Sequence, residues 1–150
     1  VLARAVQKNG VGHVYSLEHD PVYSNKTRQE LHRQGLDAFA TVIDAPLRLH
    51  QLVDGDWHWY ETKDLPRSID LLVIDGPPSS IQALARYPAI PLLDEKIQPN
   101  GCVMLDDADR ADERAALDRW ARNFAWMSSE SLHAEKGIAK LKRGENRLQN

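Results

Sequence analysis

Four short apolar runs in this chain each end in carboxylates: HVYSLE (13–18), AFATVI (38–43) followed by Asp44, IDLLVID (69–75) and GCVMLDD (101–107). The third has a Leu/Val/Ile centre without in/out alternation, which predicts a strand buried on both faces, as in a parallel sheet. Helical patterns separate the runs. Asp20-Pro21 reads as an N-cap followed by proline at the first helical position, and TRQELHRQ carries that helix to a stop at Gly35. APLRLHQL (45–52) predicts a second helix, the stretch after Gly76-Pro77-Pro78 a third reaching about Glu95, and RADERAALDRWARNF (110–124) a fourth. The opening VLARAVQKNG reads as the end of an amphipathic helix closed by Gly10. WHWYET (57–62) predicts an extended segment and DLPRS a turn, while WMSSESLH and GIAKLKR predict a final antiparallel pair. Strand-helix alternation of this kind specifies an α/β fold with a doubly wound, mostly parallel sheet, closed by a C-terminal antiparallel hairpin. The 150 residues, 42% of them hydrophobic, match one domain with one core.

The balance of charge narrows the partners. A net charge of −3 provides no basic footprint for nucleic acid, and no Lys/Arg run is dense enough for an anionic membrane. No stretch reaches the roughly twenty apolar residues of a bilayer span. The lone cysteine, Cys102, lies in an apolar run, so a buried thiol and a reducing, cytoplasmic setting are expected. Small or neutral molecules are the expected partners, and oligomeric state stays open.

In open α/β sheets ligands bind outside the carboxyl ends of the strands. Glu18, Asp44, Asp75, Asp106 and Asp107 all fall there, making them the candidate site. A carboxylate at Glu18 can accept two hydrogen bonds from a ribose diol. Asp75, Asp106 and Asp107 come from strands expected to be neighbours and could converge on one hard cation such as Mg²⁺, with Ca²⁺ or Mn²⁺ satisfying the same ligands. The competing reading is structural: Asp106, Asp107, Asp109 and Asp112 precede or begin a helix, where acids cap free amides. His19, His50 and His58 are candidate bases or plain surface histidines. Trp57, Trp59 and Tyr60 fit either a stacking pocket or a half-buried extended segment, and Trp120 and Trp126 read as core or interface residues.

VYSLEHDPVY resembles the second strand of class I S-adenosylmethionine (SAM)-dependent methyltransferases. IDAP (43–46) resembles the turn after that family's third strand, LLVIDGPP its fourth strand, and LLDEKIQPNGCVMLDDADR its fifth with the preceding helix and glycine turn. The resemblance implies a Rossmann-like fold and assigns Glu18 to the cofactor ribose, Asp44 and Ala45 to the adenine, and Asp75 to a catalytic place near the transferred methyl. It also implies that the family's first strand and glycine-rich loop are lacking, so that 1–150 is a single, incomplete methyltransferase domain that holds SAM weakly or not at all by itself. The acids at 75, 106 and 107 are similar to the metal site of the catechol and caffeoyl-CoA O-methyltransferases, which implies a hydroxyl-bearing small molecule as methyl acceptor. Pro77-Pro78 stands where that type carries a lysine, leaving the general base unassigned. The alternatives are an NAD(P)-dependent Rossmann oxidoreductase, a metal-dependent glycosyltransferase suggested by LDDAD, and a non-catalytic α/β binding module.

Overall fold

The structure is a computed structural model that describes residues 1–144. Two compact units divide the chain, one comprising 1–48 with 60–66 and the other 49–59 with the residues from 67 onward.

In the first unit, α1 (Leu2–Asn9) ends at Gly10, whose φ of 71° is the left-handed cap geometry that glycine adopts without a Cβ clash. Strand β1 (Val14–Glu18) runs into α2 (Pro21–Arg33) through an Asp20 N-cap, whose carboxylate accepts the Val22 amide at 2.8 Å. Strand β2 (Ala40–Asp44) lies parallel to β1 in a register that sets Glu18 opposite Asp44. Ala3, Ser24, Leu36, Val42, Ala45 and Tyr60 are the buried residues that pack this unit.

A two-stranded sheet of β3 (Leu47–Leu52) and β4 (Gly55–Tyr60) follows. The helix expected from APLRLHQL is therefore a strand. Leu47, Arg48, Leu49 and His50 alternate apolar and polar with period two, and Asp54-Gly55 is a hairpin turn signal that outweighs leucine's helical preference. The extended reading of WHWYET holds, with Trp59 and Tyr60 buried.

The second unit is built on a four-stranded sheet in the order β5-β6-β8-β7, from β5 (Ile69–Ile74), β6 (Ile97–Asp106), β7 (Met127–Leu132) and β8 (Ile138–Arg143). β5 and β6 are parallel, while β8 runs antiparallel to both β6 and β7. The expected C-terminal hairpin is present. The parallel strands, however, form two separate pairs, β1-β2 and β5-β6, rather than one continuous doubly wound sheet. On one face Val103 sits opposite Leu141 and Leu105 opposite Ala139, all four buried. Against this unit's core packs α4 (Ala111–Asn123), burying Glu113, Ala116 and Trp120 at helical spacing. Trp120 is wholly buried and its indole N–H donates to the Tyr87 carbonyl at 2.9 Å.

Two further expectations are corrected. β5 is not buried on both faces: Leu71 and Val73 are 45% and 42% exposed, because those alternate side chains share a face left open while Ile74 points inward. The helix expected between Pro78 and Glu95 shrinks to α3 (Ala89–Leu93) and a 3-10 turn at Asp94–Lys96. Prolines 77, 78, 88 and 91 and the positive φ of Leu84 (55°) interrupt the hydrogen-bond ladder that the apolar spacing suggested. No helix among the described residues is long and apolar enough to cross a membrane.

Candidate functional site

In the first unit the site residues stand at the carboxyl ends of β1 and β2. Glu18 Oε1 accepts the Asp20 amide at 2.9 Å, fastening the strand end to the start of α2. The buried His19 Nδ1 lies 3.2 Å from the same oxygen without making a hydrogen bond, and its ring packs 5.9 Å from that of Tyr60. Asp44 is more committed. Arg28 on α2 reaches its Oδ2 at 2.7 Å while donating to the Val42 carbonyl at 3.0 Å. Hydrogen bonding from Ser24, and after it from Arg28, holds the Asp44 carboxyl below its usual value. Ala45 is buried, and its amide donates to the Glu18 carbonyl at 2.8 Å. Glu18 and Asp44 are thus brought side by side, as expected of paired strand ends, but Asp44 and the Ala45 amide already have partners within the chain.

In the second unit Asp75, Asp106 and Asp107 converge. Each offers a carboxylate oxygen, and the three oxygens lie within 4.8 Å of one another. Parallel pairing delivers them: Ile74 is in register with Leu105, so the next residues of β5 and β6 emerge together. Asp107 takes a φ of 53°, a left-handed conformation that aspartate tolerates better than most residues. The turn is closed by the Arg110 amide on the Asp107 carbonyl at 2.9 Å and fastened by the Ala108 amide on the Gly137 carbonyl at 3.0 Å.

Behind the carboxylates lies Arg86, its side chain only 7% exposed. Its Nη2 donates to the Asp75 carbonyl at 3.1 Å and lies 3.2 Å from Asp75 Oδ1 and 3.3 Å from Asp107 Oδ2. Its Nη1 donates to the Asp106 carbonyl at 2.8 Å and lies 3.5 Å from Glu113 Oε1. Arg110 adds a second guanidinium, 3.0 Å from Asp107 Oδ2. Four carboxylates (75, 106, 107 and 113) face two arginines (86 and 110), leaving two negative charges in excess. Partial burial pushes the Asp75 carboxyl up, Arg86 opposes this, and Asp106 and Asp107 reinforce it.

The donor set fits a hard cation. Around Mg²⁺, with oxygen ligands at about 2.1 Å, neighbouring oxygens are about 3 Å apart and opposite ones about 4.2 Å; for Ca²⁺ the opposite pair lies about 4.8 Å apart. Three oxygens within 4.8 Å meet the Ca²⁺ limit as they stand, and Mg²⁺ would draw any pair farther apart than about 4.2 Å together. The group that forms contains no histidine. His58 is exposed on β4, with its backbone N–H and carbonyl clasped by the Gln82 amide at 3.0 and 3.2 Å, and His50 lies on β3.

Sequence reasoning missed Arg86, Arg110 and Glu113. The positive charge looked for just after Asp75 comes instead from a residue eleven positions on. Arg86 did carry a signal. It is flanked by Ala85 and Tyr87 and followed by PAIPLL, and an arginine within an apolar stretch has to find carboxylates or carbonyls if that stretch is buried. Trp57 is not part of either acid group: its ring packs 4.9 Å from Tyr87, with the Arg119 guanidinium 5.7 Å from its centre.

Residues 1–108 match the family described as a methyltransferase domain. Among curated proteins, none matches the chain by sequence. Solved structures share the fold. A methyltransferase from Geobacter sulfurreducens aligns with a TM-score of 0.60 at 13% identity, over 87% of this chain and 58% of its own. A Staphylococcus aureus protein provisionally assigned as a caffeoyl-CoA O-methyltransferase aligns at 0.62 and 11% identity, over 95% and 80%. The Podospora anserina methyltransferase PaMTH1, solved with S-adenosylhomocysteine (SAH) bound, aligns at 0.58 and 13% identity, over 89% and 61%. The chain thus spans little more than half the length of the Geobacter protein. With the family match covering most of its residues and the same fold in these structures, the chain belongs to the methyltransferase-domain family, the class I SAM-dependent methyltransferases.

Proposed function

We propose that this chain serves SAM-dependent methyl transfer to a hydroxyl oxygen of a small molecule, with a divalent cation at Asp75, Asp106 and Asp107. The observation that carries the acceptor side is the convergence of three carboxylate oxygens within 4.8 Å at the ends of β5 and β6. On the cofactor side, Glu18 accepts the ribose hydroxyls, and Asp44 with Ala45 borders the adenine. SAH bound to PaMTH1 supports this choice of cofactor.

Methyl transfer is an in-line displacement. The acceptor oxygen forms a bond to the methyl carbon as the carbon–sulfur bond breaks, the electron pair stays on sulfur, and the hydroxyl proton passes to solvent water. A divalent cation, when bound, lowers the pKa of a hydroxyl and favours its ionised form. Asp75 accepts a hydrogen bond from that hydroxyl and orients a lone pair toward the methyl group. Asp106 and Asp107 complete the negative site that holds the cation.

The test is SAH release with a catechol probe and Mn²⁺, repeated after EDTA. Loss of turnover in EDTA and its return with Mn²⁺ supports the reading, whereas turnover indifferent to EDTA removes the cation. The placement of Arg86 among the acids supports a second reading, in which the carboxylates are tied internally and methyl transfer proceeds without a cation. The EDTA comparison separates the two.

A further inference from the structure

We propose that Arg86 is a positioning residue: its buried guanidinium holds Asp75 and Asp107 in place from behind, so that their remaining oxygens and Asp106 face the reacting end. The inference rests on the reading of these acids as that end of the site. It is argued from geometry that a simple counter-charge does not need.

One guanidinium reaches two backbone carbonyls, Asp75 and Asp106, at 3.1 and 2.8 Å, and these belong to the residues at the ends of two adjacent parallel strands. The same group lies 3.2 and 3.3 Å from the Asp75 and Asp107 carboxylates. Glu113, 5% exposed on α4, lies 3.5 Å from its other edge and anchors it. Planar donors in a fixed fork can address carbonyls and carboxylates at once; a lysine ammonium, as a point charge on a flexible stem, cannot reproduce that set. Asp75 itself is 67% exposed, so its own packing does little to fix its rotamer. Arg86 fixes it from the buried side while leaving the outward side open.

Two opposed expectations make this testable. If Arg86 merely neutralises charge, Arg86→Lys, which keeps that charge, leaves divalent-ion binding unchanged. If it positions the acids through its fork, the same substitution weakens ion binding although the positive charge is kept. Partners that orient metal ligands are worth about 10- to 100-fold in affinity.

The experiment compares wild type, Arg86→Lys and Glu113→Gln by Mn²⁺ calorimetry and by hydrogen exchange. In Arg86→Lys, Mn²⁺ affinity is expected to fall about tenfold. The amides at 75–76 and 106–108 are expected to exchange about tenfold faster than the loss of global stability accounts for, while those of β8 follow the global change. Exchange at 75–76 and 106–108 that simply tracks global stability, or Mn²⁺ affinity in Arg86→Lys that is unchanged or rises, overturns the proposal. Should Arg86→Lys fail to fold, Glu113→Gln, which loosens the anchor and leaves the arginine, carries the exchange comparison, its Mn²⁺ affinity being lowered in any case by the lost negative charge. A wild-type protein that binds no Mn²⁺ sinks the cation reading alone, and the exchange comparison still decides the role of Arg86.

Discussion

Glu18→Gln isolates the cofactor role of the first strand's terminal acid. Glu18 Oε1 is engaged by the Asp20 amide at 2.9 Å, which leaves Oε2 for a ribose hydroxyl. A hydrogen bond to a charged group contributes about 1.5–3 kcal/mol. Replacing the carboxylate by an amide keeps an acceptor for Asp20 but turns a donor toward the ribose, so that whole contribution is lost. At 1.4 kcal/mol per factor of ten, SAM affinity should fall about 10- to 150-fold. Glu18→Ala should fall at least as far and also destabilise the fold by about 1 kcal/mol, since it orphans the partly buried Asp20 amide beside a helix N-cap. Calorimetry with SAM and SAH, paired with thermal melts, separates the two effects. Glu18→Gln that melts like wild type and binds SAM equally well would refute the assignment of Glu18 to the ribose.

Three further outcomes are expected. Trp120→Ala empties a fully buried site and orphans the Tyr87 carbonyl, costing about 3–5 kcal/mol in urea unfolding; a loss under about 1 kcal/mol would contradict the packing described. Tyr87→Phe removes the 2.6 Å hydrogen bond to Asp54 while Arg119 stays near that carboxylate, so about 1–2 kcal/mol is lost and cleavage at the exposed Val53 turn by limited proteolysis speeds up; unchanged cleavage would show that this bond does not hold the turn. Asp75→Asn should melt higher than wild type at pH 7: the folded carboxyl lies above 3.8, so ionising it costs stability as pH rises through that window, and the gain should vanish when both proteins are melted below pH 3.8.

Local signals that agreed with their surroundings were legible in the sequence. Asp20-Pro21, Gly10 and the acid-terminated runs each fix a short-range geometry, and they gave α2, the end of α1, the strand ends at Glu18 and Asp44, and, one residue too far, those at Ile74 and Asp106. Where two local codes competed, the reading failed. Leucine at 47, 49 and 52 suits a helix and a strand alike, and the decision was made by the Asp54-Gly55 turn, which lies beyond the segment itself. The stretch from Pro78 to Glu95 shows apolar spacing, but Leu84 takes a left-handed φ of 55° and Pro88 and Pro91 interrupt the ladder beyond it, which apolar spacing does not record. Burial of Leu71 and Val73 was unreadable, since an apolar run does not record which of its faces is covered. Within the candidate site, the meeting of Asp75, Asp106 and Asp107 followed from strand order, whereas the ion pairs of Arg86 and Glu113 depend on how an irregular loop folds back onto α4, and no periodicity encodes that.

The loop from 76 to 88 thereby explains why so costly a cluster survives in the fold. Three carboxylates crowded at two strand ends repel one another, and Asp107 adds a left-handed backbone conformation; acids that merely capped α4 would need neither feature. Indeed none of them caps it: the N-cap is Arg110 without a side-chain bond, and Asp112, in the first turn, accepts the Leu84 amide at 2.9 Å. Of the interactions that a structural role would predict, the cluster retains the ones made by Arg86 and Arg110, and these offset only two of the four negative charges present. A purely structural arrangement could have dispensed with Asp106, whose carboxylate makes no ion pair with either arginine. On the proposed reading this surplus of negative charge lies at the reacting end, where a ligand accounts for it better than a cap does.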